Sequence, residues 1–367
     1  MRFTNVTGLP SGWTVAYDTN GREMLVVVVK ATYVIPESGR EARLAPEQVA
    51  LVGPDRFSGD PGTSAPLFET DYAHRKPSCD VLLVGNAHAP NAEPTHQVEV
   101  SLQVGAMIKQ FRVIGPRVWF KSGMGIAASS AEPFTVMPIS YDVAFGGTDR
   151  TREEEGRVDT FLANPVGRGY WRNHSRIDAQ PLPNTEQSSH VVDSPAGNFV
   201  PMAFSPVGRN WLPRMRYAGT YDEHWVENEA PFWPQDFDPR YFQAAAPDQI
   251  IPYPAGGEEV VMRNLTPDGH RAFPLPTRVV TVTFIPYKGR DVTLDANIDT
   301  IVFEPEEGRF TMTWRANLAL GKSVFDVKET IAGEMSAAWH RARRFPGKTY
   351  YDNLAQAVQA RPRRRRS

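Results

Sequence analysis

The chain has 367 residues, a formal net charge of −2, 41% hydrophobic residues and 22% charged residues. These values are typical of a folded protein and exclude disorder along the whole chain, and a charge this close to zero gives no general attraction for nucleic acid or anionic membranes. Proline is frequent, at 32 of 367 residues against a usual share of about 5%. Because proline lacks an N–H donor and interrupts helices, we expect mainly strands and irregular backbone.

The cysteine content and the N-terminus predict a compartment. Cys79 is the single cysteine of the sequence, so no internal disulfide can form, which fits a reducing environment. The sequence "MRFTNVTGLP" has no apolar run of signal-peptide type, and the longest apolar run, Met24 to Val29, has the length of a buried strand. We therefore expect a cytoplasmic protein.

Strand patterns dominate residues 1–139. In "HQVEVSLQV" the side chains of Val98, Val100, Leu102 and Val104 share one face, which predicts a half-buried antiparallel strand. Further β-branched runs separated by Gly, Pro or Asn cover Glu23 to Ile35, Cys79 to Gly85, Ile108 to Gly115 and Arg117 to Phe120. The fold class predicted from these runs is mainly β, with antiparallel sheets in a sandwich-like arrangement.

The pattern changes after residue 139. Residues 140–254 lose regular periodicity and concentrate Pro, Gly and aromatic residues, and a loop region this long tends to be functional or to wrap a scaffold. Strand patterns return in residues 255–345, and "SAAWHRARR" and "TYYDNLAQAVQA" predict short helices. We expect one domain over residues 1–345, followed by a C-terminal helix and an Arg-rich tail in residues 346–367. That tail carries Arg361 and Arg363 to Arg366 and is interpreted as a disordered solubilising end.

The common catalytic motifs are missing from the sequence, which has no H-E-x-x-H, G-x-S-x-G, C-x-x-C or P-loop pattern. "GMGIAA" (Gly123 to Ala128) superficially resembles a dinucleotide fingerprint but is not followed by an amphipathic helix, so we interpret it as a Gly-rich turn. Cys79 lies in an apolar strand and is expected to be inert. His224, with Asp222 and Glu227 nearby, remains open as a metal-binding group for a hydrolase.

Two glycine-rich motifs predict tight backbone turns. In "YDVAFGGTDR", Gly146 and Gly147 are expected to adopt positive φ, and Asp149 to accept hydrogen bonds from backbone N–H groups. "NPVGRGY" and "SPVGRNWLPR" share a P-V-G-R core that presents Arg168 and Arg209 after a turn. These arginines can form bidentate ion pairs with carboxylates, either with the acids of residues 221–238 or as internal staples.

The segment "YDEHWVENEAPFWPQDFD" (Tyr221 to Asp238) concentrates aromatic and acidic side chains. Its prolines Pro231 and Pro234, with Pro239 directly after it, predict an extended strap that crosses the β scaffold. We expect four aromatic side chains to act as pegs that fasten the strap: Trp225, Phe232, Trp233 and Phe237. Its acids Asp222, Asp236 and Asp238 are expected to pair with backbone or with Arg168, Arg209 or Arg214.

These motifs together resemble a bacterial family known as a domain of unknown function. The resemblance runs from roughly Val27 to Val324, and the segment Gly219 to Gln249 is its most specific part. Genes of the family lie beside those for type VI secretion VgrG spike proteins, PAAR-like proteins and toxic effectors. The family-motif positions expected to bind a client or to anchor the strap are Phe145, Gly146, Gly147, Asp149, Asn164, Pro165, Gly167, Arg168, Arg209, Trp211, Arg214, Tyr221, Asp222, Trp225, Trp233, Asp236, Asp238 and Tyr241.

The resemblance implies a cytoplasmic chaperone or adaptor that binds a PAAR-like effector and assists its loading onto the VgrG spike. No catalytic residue, cofactor, nucleotide or metal accompanies the family. The composition fits such a role, because Trp, Tyr and Arg dominate binding hot spots and a β scaffold offers sheet edges for an added strand. The alternatives are the metal-assisted hydrolase above and a structural component of the secretion apparatus.

Overall fold

The computed structural model describes residues 1–123, 125–345, 349–351 and 354–359. Strands dominate these residues, as predicted. In chain order they are β1 (Arg2–Asn5), β2 (Ser11–Tyr17), β3 (Glu23–Val34), β4 (Arg43–Leu44), β5 (Arg56–Phe57), β6 (Pro66–Phe68), β7 (Cys79–Leu83), β8 (Asn86–His88), β9 (Gln97–Val104), β10 (Met107–Ile114), β11 (Trp119–Ser122), β12 (Gly125–Ala128), β13 (Val136–Pro138), β14 (Phe145–Gly146), β15 (Thr148–Arg152), β16 (Arg157–Thr160), β17 (Arg168–Gly169), β18 (Thr185–Glu186), β19 (Ile250–Ile251), β20 (Glu259–Arg263), β21 (His270–Pro274), β22 (Thr281–Pro286), β23 (Val292–Asp295), β24 (Asn297–Glu304), β25 (Arg309–Ala319) and β26 (Val327–Ala332).

Helices are few and short. The α-helices are α1 (Leu212–Met215), α2 (Glu223–Asn228), α3 (Ala337–Arg344) and α4 (Leu354–Gln359). Single 3₁₀ turns occur at Pro90–Ala92, Tyr141–Val143, Glu153–Glu155, His174–Arg176, Pro239–Phe242, Pro247–Gln249, Pro305–Glu307 and Val324–Asp326. The two predicted C-terminal helices correspond to α3 and α4, and Arg361 to Arg366 lie outside the described residues. Among the described residues, no helix has both the length and the apolar character that a bilayer crossing requires.

The largest sheet has the strand order β19-β7-β24-β25-β3-β2, and β4 pairs with the end of β3. β3 carries the valine run of the sequence, and Val26 to Val29 are fully or almost fully buried because the sheet is covered on both faces. β25 pairs with β3 antiparallel along eleven positions, while β24 pairs with β7 in parallel. This sheet therefore joins strands from residues 1–139 and residues 255–345.

A five-stranded sheet with the order β18-β10-β9-β20-β21 packs against the largest sheet. In β9 the side chains of Val98, Val100, Leu102 and Val104 are buried, and the alternate positions are half-buried or exposed, as the period-two pattern predicts. They share one hydrophobic core with residues of the largest sheet such as Val27 and Phe310. The mainly β, antiparallel, sandwich-like prediction is confirmed.

A third sheet of four strands, β1-β26-β22-β23, completes the scaffold. Val282 and Phe284 of β22 are buried in the same core as the other two sheets. β11 and β12 form a hairpin at "GMGIAA", in which Ser122 is opposite Gly125, so the Gly-rich-turn interpretation is correct.

Residues 140–254 contain small two-stranded ladders and short helices, and buried polar contacts fasten the end of this region to the sheets. The Asp80 carboxylate of β7 accepts hydrogen bonds from the Gln243 side chain at 2.6 Å and from the backbone N–H of Ala244 at 2.8 Å. On β10, the Lys109 ammonium donates to the Gln249 side chain at 2.8 Å. Because a buried polar group without a partner is costly, these contacts fix where the irregular segment crosses the scaffold.

Candidate partner-binding surface

The two glycines of "YDVAFGGTDR" form a close backbone crossing. Gly146 has φ 150° and Gly147 has φ 118°, so the predicted positive φ is confirmed. A Cβ atom on Gly146 would lie 2.2 Å from the backbone oxygen of Asn164, and one on Gly147 would lie 2.8 Å from that of Gly167. Glycine is required here because the chain of residues 164–167 passes directly against it.

Asn164 connects the two motifs. Its fully buried side-chain amide donates to the backbone oxygens of Tyr141 at 2.8 Å and Phe145 at 3.1 Å, and its own backbone oxygen accepts from Gly147 N–H at 2.9 Å. The backbone oxygen of Pro165 accepts from the Thr148 hydroxyl at 3.0 Å. The motif positions 145–149 and 164–168 therefore form one internal junction, and the motif serves the fold at this point.

Asp149 organises the backbone beside this junction, as predicted. Its carboxylate accepts from the N–H groups of Thr151, Arg172 and Asn173 at 2.8 to 2.9 Å and from the Thr151 hydroxyl. Burial alone would raise the pKa of this carboxyl, but the hydrogen bonds from Thr151, Asn173 and Arg172 outweigh it and hold the pKa below its ordinary value. The side chain is ionised at neutral pH and fixes two separate turns.

The prediction that the arginines pair with the acids of residues 221–238 is wrong, because their partners lie elsewhere. Arg168 donates to the backbone oxygen of Asp142 at 3.1 Å and to the Asn184 side chain at 3.2 Å. Arg209 pairs with Asp55 at 3.1 Å. Arg168 and Arg209 thus act as internal staples, which the sequence left open.

Arg214 is buried in α1 and is the most heavily bonded of the three arginines. It forms an ion pair with Glu69 and donates to the backbone oxygens of Val207 at 2.8 Å and Tyr241 at 2.7 Å. Arg209 also approaches Glu69, at 3.4 Å. Sequence reasoning missed Glu69, which lies in an irregular segment with no periodic pattern to mark it.

The segment of residues 221–238 (the strap) is partly helical. Asp222 begins α2 by accepting a hydrogen bond from the Trp225 N–H at 3.0 Å, and the helix ends at Asn228 before Pro231. The prediction of an extended strap is therefore wrong for residues 223–228. The N-cap followed by "EHWVEN", which contains no proline or glycine, is the signal that favours a helix.

The remaining acids of the strap pair locally. Asp236 accepts from the Thr220 N–H at 2.9 Å and hydroxyl at 2.8 Å, and these hydrogen bonds lower the pKa of its carboxyl. A hydrogen bond from the Arg240 side chain lowers the pKa of Asp238 in the same way, with a smaller contribution from the Arg240 N–H. Asp222 and Asp238 bond to residues two or three positions away and Asp236 bonds to Thr220, sixteen positions away, so none of the three aspartates pairs with Arg168, Arg209 or Arg214.

Three aromatic side chains fasten the central segment to the scaffold. Trp211 is buried and packs edge-on against Tyr141, with ring centroids 5.3 Å apart. Phe237 is buried and stacks on Trp233 at 4.4 Å, and the Trp233 indole N–H donates to the backbone oxygen of Tyr17 at 3.2 Å. Trp233 and Phe237 are therefore the pegs that the sequence predicts, and Tyr241 is half-buried against Phe237.

The other aromatic side chains of the strap face outward. Phe232 is 40% exposed and contacts the ring of Tyr17, which is 41% exposed, at 5.6 Å. Trp225 donates its indole N–H to the backbone oxygen of Phe232 at 2.9 Å and contacts Tyr221, which is 50% exposed, at 4.8 Å. The peg role expected for Phe232 and Trp225 is therefore only partial. Tyr17, Phe232, Trp225 and Tyr221 are connected by these contacts, and we call them, together with the exposed Val226 that follows Trp225 in α2, the strap surface.

The strap surface lies beside the end of β2. Trp233 anchors it to the end of β2, and a cleft of about 530 Å³ lies between the tip of the β2–β3 hairpin, at Thr19 and Asn20, and the end of α2, at Asn228 and Glu229. Neither Tyr17 nor β2 was predicted from the sequence. The alternation of Trp13, Val15 and Tyr17 was the available signal.

The groups considered for chemistry do not assemble into a site. Asp222 caps α2, and the exposed His224 lies 3.6 Å from Glu229, itself bonded to the Gln235 N–H. Across the part of the chain that the structure describes, no three His, Cys, Asp or Glu side chains converge on a point that would suit a metal ion. Cys79 is completely buried in β7, and burial raises the pKa of its thiol well above the ordinary value, so it is not primed as a nucleophile.

Comparison with known proteins identifies a family. The family described as "Uncharacterized protein conserved in bacteria (DUF2169)" matches residues 20–315. The chain belongs to this family. The matched range includes the Gly146–Asn164 junction, Asp149, the arginine staples and the whole strap, while α3 and α4 lie beyond it. No curated protein and no solved structure matches the chain.

Proposed function

We propose that this DUF2169 protein is a type VI secretion accessory protein. It binds an effector with a PAAR-like domain in the bacterial cytoplasm, as a chaperone or adaptor, and assists its loading onto the VgrG spike. The assignment to type VI secretion rests on the family resemblance described above, because the genes of that family lie beside VgrG, PAAR-like and effector genes. The structural observation that supports a protein-binding role is the strap surface.

The strap surface has the chemistry of a binding hot spot. Four of its five side chains are aromatic, and Val226 is 63% exposed. Exposed aromatic side chains that pack against one another provide a large contact area at a low cost in conformational entropy. Because Trp233 and Phe237 hold the strap against the scaffold, the surface is ordered before a partner arrives, which lowers the entropic cost of binding.

Such a protein needs no nucleotide hydrolysis. A protein that binds a folded or partly folded client stabilises it by mass action, and the client leaves when the spike competes for the same surface. We do not propose the metal-assisted hydrolase, because the Asp222 carboxylate, one of its expected ligands, accepts the N-cap hydrogen bond of α2.

The experiment is co-expression with the PAAR-like protein encoded nearest to the gene. We expect co-purification and a larger soluble fraction of the client. Absence of both would overturn the proposal. Stoichiometric retention of the protein in purified spike complexes would instead favour a structural component of the apparatus.

A matched pair of variants locates the surface. Val226→Glu places a charge in the strap surface and is expected to weaken client binding at least tenfold by calorimetry. Phe325→Glu is the control, because Phe325 is 80% exposed and lies outside the strap surface, and we expect it to bind like the unmodified protein. Equal affinities for the two variants would show that the client binds elsewhere.

A further inference from the structure

The free edge of the largest sheet lies next to the strap surface. β2 is the last strand of that sheet and pairs with β3 on one side only. The N–H of Lys30 donates to the oxygen of Pro10 at 2.9 Å, and the N–H of Asp18 donates to the oxygen of Arg22 at 3.0 Å. Since hydrogen-bonded pairs alternate in an antiparallel ladder, residues 12, 14 and 16 bond to β3. Ser11, Trp13, Val15 and Tyr17 therefore direct their backbone groups outward.

These outward groups are available in the middle of the strand. At the strap end, the backbone oxygen of Tyr17 is taken by the Trp233 indole. Among the described residues, the N–H groups of Trp13 and Val15 and the oxygen of Trp13 have no hydrogen-bond partner within the chain. The side chain of Trp13 is 40% exposed beside them.

β2 differs from the edge strands β1, β23 and β21 because it carries no residue that opposes strand addition. Its sequence, "SGWTVAY", has seven residues without a charge or a proline. The edge strand β1 begins with Arg2, and β23 ends with Asp295. β21 contains Arg271 and Pro274, and its Ala272 is already bonded on the free side by Ser38 and Gly39. Natural proteins protect edges with such charges, prolines and covering loops.

The neighbouring charges distinguish between two occupants. α2 exposes Glu223 and Glu227 close to the Tyr17 end of the edge, where Asn228 and Glu229 border the hairpin tip. In an antiparallel pairing of β2 with β2 of a second copy, the Ser11 end of each copy would lie beside the acidic α2 of the other, and residues 6–12 carry no positive charge to meet it. A partner strand with basic residues at that end meets complementary charge.

We propose that an extended segment of the client adds to β2 as a further strand of the largest sheet. It pairs with the outward backbone groups of Ser11, Trp13 and Val15, over about five residues, and places apolar side chains against Trp13 and Tyr17. The basic residues of this client segment lie at the end nearest α2. This inference rests on the proposed function and names how the same client is recognised.

Proline substitution tests the pairing in the full-length chain. Val15→Pro removes an outward N–H and leaves the ladder to β3 intact, since proline is tolerated on an edge strand where the N–H faces solvent. The matched control is Thr293→Pro, because Thr293 also directs its N–H outward, from the edge strand β23. Circular dichroism and melting temperature verify that both variants fold. We expect Val15→Pro to bind the co-expressed PAAR-like client at least tenfold more weakly, and Thr293→Pro to bind normally.

Hydrogen exchange of the unmodified complex gives a second readout that needs no variant. The Trp13 and Val15 amides are expected to gain protection when the client binds. If they gain none, or if a folded Val15→Pro binds like the unmodified protein, the edge inference is overturned while the chaperone proposal stands. If the unmodified protein binds no client, the chaperone proposal itself fails. A dimer in solution that Val15→Pro dissociates would assign the edge to a second copy and would also overturn the inference.

Discussion

Gly146 shows how tightly single residues determine the junction of residues 145–149 with residues 164–168. Its φ of 150° lies outside the range that L side chains favour, and its Cα hydrogen faces the Asn164 backbone. Conformation and contact therefore both require glycine at this position. The two requirements can be separated by experiment, because other glycines of the chain meet only the first.

We expect Gly146→Ala to destabilise the fold by about 3 kcal/mol or more, because a Cβ atom cannot fit against backbone atoms that are themselves fixed. Gly156→Ala is the control, since Gly156 has φ 72° and open space around it. That change should cost only about 1 kcal/mol, the ordinary penalty for a left-handed conformation. Urea denaturation measures both values. Equal losses would show that the contact with Asn164 contributes nothing.

Asp149 predicts a dependence of stability on pH. The folded pKa of its carboxyl is lowered, so its contribution is fully present above the unfolded pKa of about 3.9 and is lost as the pH falls through the folded value. We expect Asp149→Asn to lose about 1 to 2 kcal/mol at pH 7. Below pH 4 the difference from the unmodified protein should shrink. Chemical denaturation from pH 3 to pH 7 checks this, and a constant difference across that range would contradict it.

Residue types predicted local backbone behaviour well and distant partners poorly. The positive φ of Gly146 and Gly147 and the acceptor role of Asp149 follow from short-range chemistry, which the sequence displays. The pairing of Arg214 with Glu69 joins residues 145 positions apart, through a segment without periodicity. Nothing in the local sequence favours Glu69 over the acids of the strap, which are closer in the chain.

At the scale of elements, the strap combines a short helix, two prolines and aromatic pegs. The period-two pattern identified the long strands, because burial on alternate positions is a property of the strand itself. α2 was missed because six residues are too few to show helical periodicity, although Asp222 provided a capping signal. β2 was missed because only three apolar residues carry its alternation and Gly12 and Ala16 next to them have little strand propensity, and its importance comes from its place at an edge, which only the sheet order defines.

Arg214 is expected to be the main fastener between α1 and residue 241. Arg214→Ala should destabilise the protein by about 3 kcal/mol, because it leaves Glu69 short of its main partner in a buried site and removes three hydrogen bonds to the backbone oxygens of Val207 and Tyr241. Arg240→Ala is the control, since Arg240 is exposed and makes only surface contacts, an ion pair with its neighbour Asp238 and a cation–π contact with Tyr217, so it should lower the melting temperature far less. Differential scanning fluorimetry compares them. Identical melting temperatures would assign the fastening to the aromatic pegs alone.

At the scale of the molecule, the sheets mix distant parts of the chain. β3 pairs with β25, β7 with β24, and β9 with β20, so each pairing joins the first third of the sequence to the last. The sequence showed two β regions on either side of an irregular one. It did not show that they interleave, because the pairing of strands depends on matching faces across long separations.

This interleaving predicts cooperative unfolding. We expect one calorimetric transition for the full chain, with equal calorimetric and van't Hoff enthalpies. We also expect residues 1–254 expressed alone to lack a cooperative transition, since β3, β7 and β9 would each lose a partner. Two separated transitions in the full chain, or a stable fragment, would show that the β regions fold independently.

The same interleaving delays the pairing of β3 during synthesis. The valine-rich strand β3 leaves the ribosome early, but its partner β25 begins only at Arg309. At a translation rate of about 5 to 20 residues per second, the interval is roughly 15 to 60 s. During that time residues 25–29 have only the hairpin partner β2 in their hydrogen-bonding ladder. The proposed chaperone therefore needs protection from aggregation during its own synthesis. We expect the yield of this protein to fall when the general chaperones of the cell are depleted.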